Sequence, residues 1–182
     1  MRLTAMLASF VAVVACAVPA TAGNAANDPL RLVLQRSDFP AKATWSAVHF
    51  PTYDKQRAAE GFQGKWVNYA AEVPLGSGET LRVSGQVVKL TSAGQARRLF
   101  AQSKREVVQN LQLAKVVRLA AYGDEQLAVV HLDPRADLYV RKGAVFWSVE
   151  VILRGTGTST SAKAQAQLKT YATKLKRRVG SG

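Results

Sequence analysis

Cysteine occurs once, at Cys16, and histidine twice, at His49 and His131, in a chain of 182 residues. A single thiol excludes an internal disulfide and every paired-cysteine zinc or redox motif. Neither histidine has a cysteine, a second histidine or a carboxylate at metal-ligand spacing, so the residues present point to no metal or other cofactor. His131 falls on the same side of its strand as Leu127 and Val129 and reads as a packed or hydrogen-bonded core imidazole. His49, beside Phe50 and Pro51, reads as a loop residue. Acid is also scarce, with 12 Asp and Glu against 25 Lys and Arg, a formal net charge of +13. Internal repeats and heptads are missing, which excludes solenoids and coiled coils.

What is present first is an address. Arg2 precedes an apolar run from Leu3 to Val18, then Pro19 and the small-x-small site Ala20-Thr21-Ala22, the order of a secretory signal peptide over residues 1–22. The run holds 16 residues, fewer than the roughly 20 that a helix needs to cross a bilayer core. Two processing routes stay open. Cleavage after Ala22 makes Gly23 the first mature residue and discards Cys16 within the leader. Alternatively Val13-Val14-Ala15 before Cys16 resembles a lipobox, and Cys16 then carries lipid at the outer face of the cytoplasmic membrane.

The remaining 160 residues suit one domain, with 23–27 as a flexible tether and 28–180 as the folded body. Asp28 and Pro29 fit the start of a short helix ending by Pro40, with Leu30, Val33 and Leu34 on one face. Trp66 to Val73 alternates as a strand, 74–78 turns, and Leu81 to Leu90 returns, with Gly85 a candidate bulge where the apolar parity slips. Ser92 and Gln95 have capping-box spacing before a helix that ends near Asn110. Strands follow at Gln126 to Leu132, Leu138 to Arg141 and Ala144 to Leu153, with a tight hairpin at Lys142-Gly143. In a last helix, Ser161 to Arg178, residues Ala164, Leu168, Tyr171, Ala172, Leu175 and Val179 share one stripe. That order predicts an α+β fold: an antiparallel sheet of about five strands packed with two long helices and a short N-terminal one.

Three short motifs carry a resemblance. Ser37-Asp38-Phe39-Pro40 followed by Trp45 resembles the "D-L-P-x-G-W" opening of secreted and lipid-anchored actinobacterial proteins. Tyr122-Gly123-Asp124-Glu125 resembles their "l-G-D-E-a", and Val140 to Val145 their "v-v-R-r-G-n-v-v". Those proteins resemble the Mog1/PsbP-like α+β group, which includes the extracellular sensor domain of a mycobacterial serine/threonine kinase. The resemblance implies that fold and no reaction, and it transfers no active residue.

Charge is the strongest functional hint. Removing Arg2 with the leader leaves 24 basic against 12 acidic side chains, and from Val151 onward seven cations meet no acid. Lys174, Lys176, Arg177 and Arg178 are candidates for a polyanion, which outside a cell means anionic lipid or cell-wall polymer. They equally suit a solvated helix face and its negative C-terminal end. Nucleic acid is not expected, since no basic stretch interleaves with aromatic residues. Trp45, Trp66 and Trp147 are candidates for an apolar ligand pocket, with core packing as the other explanation. Gly76-Ser77-Gly78 lacks the strand-turn-helix context of a nucleophile elbow, and adjacent Asp124 and Glu125 make a poor acid/base pair. The expectation is a monomeric, secreted, non-enzymatic binding protein of the cell envelope. The alternatives are a Cys16-anchored lipoprotein on anionic surfaces and a hydrolase with an unrecognised site.

Overall fold

The computed structural model of the chain describes residues 28–76, 78–155 and 160–180. The leader, Cys16, the Ala20-Thr21-Ala22 site and the tether lie outside the described residues. One sheet organises the rest, in the order β1-β2-β3-β7-β6-β5-β4, with every neighbouring pair antiparallel. Its strands are β1 (Thr44–His49), β2 (Gly64–Gly76), β3 (Glu79–Leu90), β4 (Ala114–Val117), β5 (Glu125–His131), β6 (Arg135–Lys142) and β7 (Val145–Arg154). Helix α1 (Pro51–Ala59) joins β1 to β2, α2 (Ala93–Gln109) joins β3 to β4, and α3 (Ser161–Gly180) follows β7.

The α+β class with an antiparallel sheet agrees with the sequence reading, but the sheet has seven strands, not five. Both extra strands are edges, which explains why the pattern hides them. β1 has no buried residue, and β4 is four residues long with none buried. α1 also buries no residue, so it left no apolar stripe to read. The predicted N-terminal helix is instead two 3-10 turns, Pro29–Arg31 and Arg36–Asp38. Leu32, Val33 and Leu34 between them are all buried, and three consecutive buried side chains cannot share one helical face.

Each face of the sheet carries its own core. On one face Val67, Tyr69, Val83, Val87, Trp147, Val149 and Leu138 pack against the α3 stripe and Leu32 to Leu34. All six predicted stripe residues of α3 are buried. On the other face Trp66, Val88, Leu90, Leu127, Val129 and Phe146 meet Ala96, Leu99 and Phe100 of α2. The parity slip in β3 is therefore a strand buried on both sides, Val87 towards α3 and Val88 towards α2. Gly85 is no bulge. It sits in register opposite Tyr69 and Val149, and the irregularity in this ladder falls at Pro74/Gly76. The Ser92 side chain caps α2 by accepting from Gln95 N at 3.2 Å, while the Gln95 side chain turns to Gln63 N and Thr91.

Candidate functional site

Beyond α1 and α2, the sheet face that they share continues as half-exposed polar surface. Strand alternation turns Ser84, Glu150 and Asp137 to this side in one row across β3, β7 and β6, since Ser84 faces Glu150 and Glu150 faces Asp137. Ser84 Oγ donates to Glu150 Oε1 at 2.9 Å. Arg135 Nη2 bridges the two acids, 2.9 Å from Glu150 Oε2 and 3.0 Å from Asp137 Oδ2, and its Nε reaches Asp137 Oδ1 at 3.2 Å. His131 Nε2 lies 2.8 Å from the same Asp137 Oδ2. Asp137 is 3% exposed, so this chain is anchored on a buried carboxylate that accepts from two strands.

Electrostatics in the row is set by proximity. Burial pulls the Arg135 guanidinium down, but the hydrogen bond and charge of Asp137, with Glu150, outweigh it and hold Arg135 above its ordinary range. Beside it, burial and then the Asp137 charge push the Tyr139 phenol well up, which keeps it a neutral hydroxyl donor. Ser84 on β3 and His131 on β5 are three strand spacings apart, about 14 Å. No proton can pass directly between them, so the two do not form a serine-histidine pair.

The residues singled out from sequence are placed as follows. Trp147 and Trp66 are both buried but on opposite faces of the sheet, and half-buried Trp45 packs on the Trp147 side. The three tryptophans therefore line no common pocket. Trp45 Nε1 donates to Leu34 O at 2.7 Å, pinning the N-terminal segment to β1. Trp66 meets Tyr53 edge to face at 5.6 Å, under the Arg57 guanidinium. Trp147 meets Tyr122 edge to face at 6.3 Å, and its indole N–H has no hydrogen-bond partner among the described residues.

The four basic candidates on α3 divide. Lys174 donates to Asp38 O and lies 5.1 Å from the Tyr171 ring, and Arg178 Nε meets Asp38 Oδ2 at 2.6 Å. With Arg177 they line a shallow cleft around Asp38. Lys176 points elsewhere, to Ala121 O at 2.8 Å and the Tyr122 ring. These contacts tie α3 to the 3-10 turn at Arg36–Asp38 and to the segment before β5.

Both histidines are paired with a carboxylate. His49 ends β1 and is not a loop residue, and its Nε2 lies 2.6 Å from Asp54 Oδ2. Asp54 Oδ1 also accepts from Trp66 N at 2.8 Å, so this pair docks α1 on β2. Asp124 and Glu125 are not splayed apart as their adjacency suggested. Both converge on Arg141. Among the described residues no cluster of three or more His, Cys, Asp or Glu is placed to hold a metal ion, and no helix is long and apolar enough to cross a membrane.

Sequence reasoning missed Ser84, Arg135, Asp137 and Glu150. One signal was available: polar Arg135, Asp137 and Tyr139 alternate with Ala136, Leu138 and Val140, which marks a strand longer than the predicted Leu138 to Arg141. Which polar residues meet depends on β3 pairing with β7 across 66 residues of chain, and no local pattern encodes that.

The fold and the row define an antiparallel α+β domain with helices on both faces of its sheet and half of one face left open. No family model matches the chain, and no curated protein matches it. Among solved structures it is similar to the extracellular domain of PknH from Mycobacterium tuberculosis, at 13% identity and a TM-score of 0.48, over 81% of this chain and 94% of that chain.

Proposed function

We propose that this protein is an exported, non-enzymatic binding domain of the cell envelope, of the Mog1/PsbP-like group, that recognises a ligand or partner on the open half of its sheet. The observation that carries the reading is the Ser84-Glu150-Arg135-Asp137-His131 chain. Five polar side chains are held in place by one another on a face that no helix closes among the described residues, so little ordering entropy remains to be lost on binding. Rigid strands position them more exactly than loops would. Export rests on the order of charge, apolar run and cleavage site in residues 1–22. A non-enzymatic role is supported by the distance between Ser84 and His131.

The test is a titration of the protein, followed by its amide spectrum, with soluble acidic cell-wall polymer and with vesicles containing acidic phospholipid. Shifts confined to Ser84, His131, Arg135, Asp137 and Glu150, abolished in Arg135→Gln, support the reading. Shifts elsewhere, or turnover of the polymer, overturn it. N-terminal sequencing of the protein from its host tests export, and an intact Met1 defeats it.

The second reading is a Cys16-anchored lipoprotein whose cationic α3 adds attraction to anionic lipid or polymer, favoured by the cleft of Lys174, Arg177 and Arg178. Fatty-acid labelling that disappears in Cys16→Ala supports it, together with vesicle binding that weakens with salt. Replacement of Lys174, Lys176, Arg177 and Arg178 by Gln lowers that binding if the attraction is real.

A further inference from the structure

At the far end of the sheet from β1, the edge strand β4 presents an unpaired ladder flanked by exposed apolar side chains. Leu132 N donates to Leu113 O at 2.9 Å, and the register continues with Ala114 opposite His131. Bonded and non-bonded pairs alternate along an antiparallel ladder. Lys115 and Val117 therefore turn their N–H and C=O to β5, while Ala114 and Val116 turn theirs outward, where the sheet has no further strand among the described residues. Around this edge Leu113, Val116 and Leu132 are 67%, 54% and 78% exposed. Leu113 and Leu132 also line a shallow cleft with Lys115, His131 and Ser161. Ser161 Oγ donates to His131 O at 2.7 Å, which fixes the corner by tying the start of α3 to the end of β5.

Charge selects the occupant. From Leu111 to Tyr122 the chain carries Lys115 and Arg118 and no acid. Among the described residues neither cation has an ion-pair partner. Lys115 lies opposite Val130, on the α3 side of the sheet, and Val116 opposite Val129, on the α2 side, so an added strand would meet a cation on one face and an apolar side chain on the other. A second copy pairing β4 to β4 would bring two sets of these cations together, and like charges across a strand pair are destabilising. We infer that the β4 edge docks an extended segment of a partner polypeptide in which acidic and apolar residues alternate, by strand addition to the sheet. Backbone bonds to Ala114 and Val116 supply the ladder, Val116 takes the apolar side chains on the α2 side, and Lys115 takes the acids on the α3 side. This surface lies at the sheet edge and does not depend on the reading of the open face.

The test uses the protein and a capped synthetic peptide alternating Val and Glu, with a Val and Lys peptide as control. On addition of the Val-Glu peptide the Ala114 and Val116 amide signals shift and their hydrogen exchange slows. Lys115→Glu weakens that binding about tenfold or more, as expected for reversing a charge pair at an interface. Val116→Pro abolishes it while leaving the β4–β5 bonds in place, because the N–H removed is an outward one. Lys115→Glu changes an exposed side chain, so it remains informative even if the proline variant fails to fold. No change at these amides, equal binding of the Val-Lys peptide, or a concentration-dependent dimer that shifts the same amides without peptide would overturn the inference.

Discussion

The guanidinium of Arg141 lies with Nη1 2.9 Å from Asp124 Oδ2, so two motifs far apart in the chain close on each other in space. Its Nε meets Glu125 Oε2 at 2.5 Å, Asp124 N donates to Arg141 O at 2.8 Å, and Gly143 N donates to Asp124 Oδ2 at 2.9 Å. Gly123 belongs to the same clasp, because a Cβ there would stand 2.5 Å from Arg141 O. The Gly-Asp-Glu and Arg-Lys-Gly motifs are thus two halves of one structural device that locks the start of β5 to the β6–β7 hairpin.

Gly123→Ala should lower the unfolding free energy by about 1–3 kcal/mol, the usual cost of forcing atoms into a filled space. Urea unfolding measures it. A variant as stable as the parent would show that the clasp can open without loss.

Acid should weaken the clasp. The Gly143 N–H, and then the Arg141 charge, hold the Asp124 carboxyl below its ordinary value of 3.8. A depressed group adds stability above its unfolded value, and that stability is lost as pH falls through the folded value. Asp124→Asn should therefore flatten the stability profile below about pH 4, where the unfolded carboxyl titrates. Thermal melts across that range check the slope.

Tyr69 reaches through the space left by Gly85 to donate to Ser148 O at 2.8 Å. A Cβ at Gly85 would come 2.0 Å from Ser148 O and 2.7 Å from the Tyr69 hydroxyl. Tyr69→Phe should cost about 1 kcal/mol, one hydrogen bond. Gly85→Ala should cost more, and adding Tyr69→Phe should not rescue it, since the Ser148 carbonyl is backbone. Rescue in the double variant would locate the conflict in the hydroxyl instead.

Burial raises the phenols of Tyr69, Tyr139 and Tyr171 above their ordinary value of 10.0. A raised group contributes stability fully below its unfolded value and loses it as pH climbs through the folded one. Stability should hold to about pH 10 and fall beyond it. Tyrosinate absorbance for these three should then rise together with loss of the circular dichroism signal. Ionisation well before unfolding would contradict their burial.

Asp137→Ala should destabilise by about 1–3 kcal/mol, because Arg135 and His131 lose a shared buried acceptor. The Ser84–Glu150 bond at 2.9 Å is independent of it and should persist. Chemical denaturation, with the Ser84 amide as a local reporter, tests both parts.

Much of the fold was legible along the chain because burial imposes a period on it. The α3 stripe, the alternation in β2 and β7 and the Ser92 cap are local, and each appeared within a window of a few turns or residues. Elements that bury nothing left no such imprint, so β1, β4 and α1 were invisible. Partnership was likewise unreadable. Whether Trp66 and Trp147 share a pocket depends on which face each strand turns to which helix, and Asp137 becomes a hub only once β6 lies between β5 and β7. Side-chain period is a property of the segment, whereas meetings between strands require long loops to close. The charge and the helix faces therefore belong to the sequence, and the polar row, the Arg141 clasp and the open edge belong to the assembled sheet.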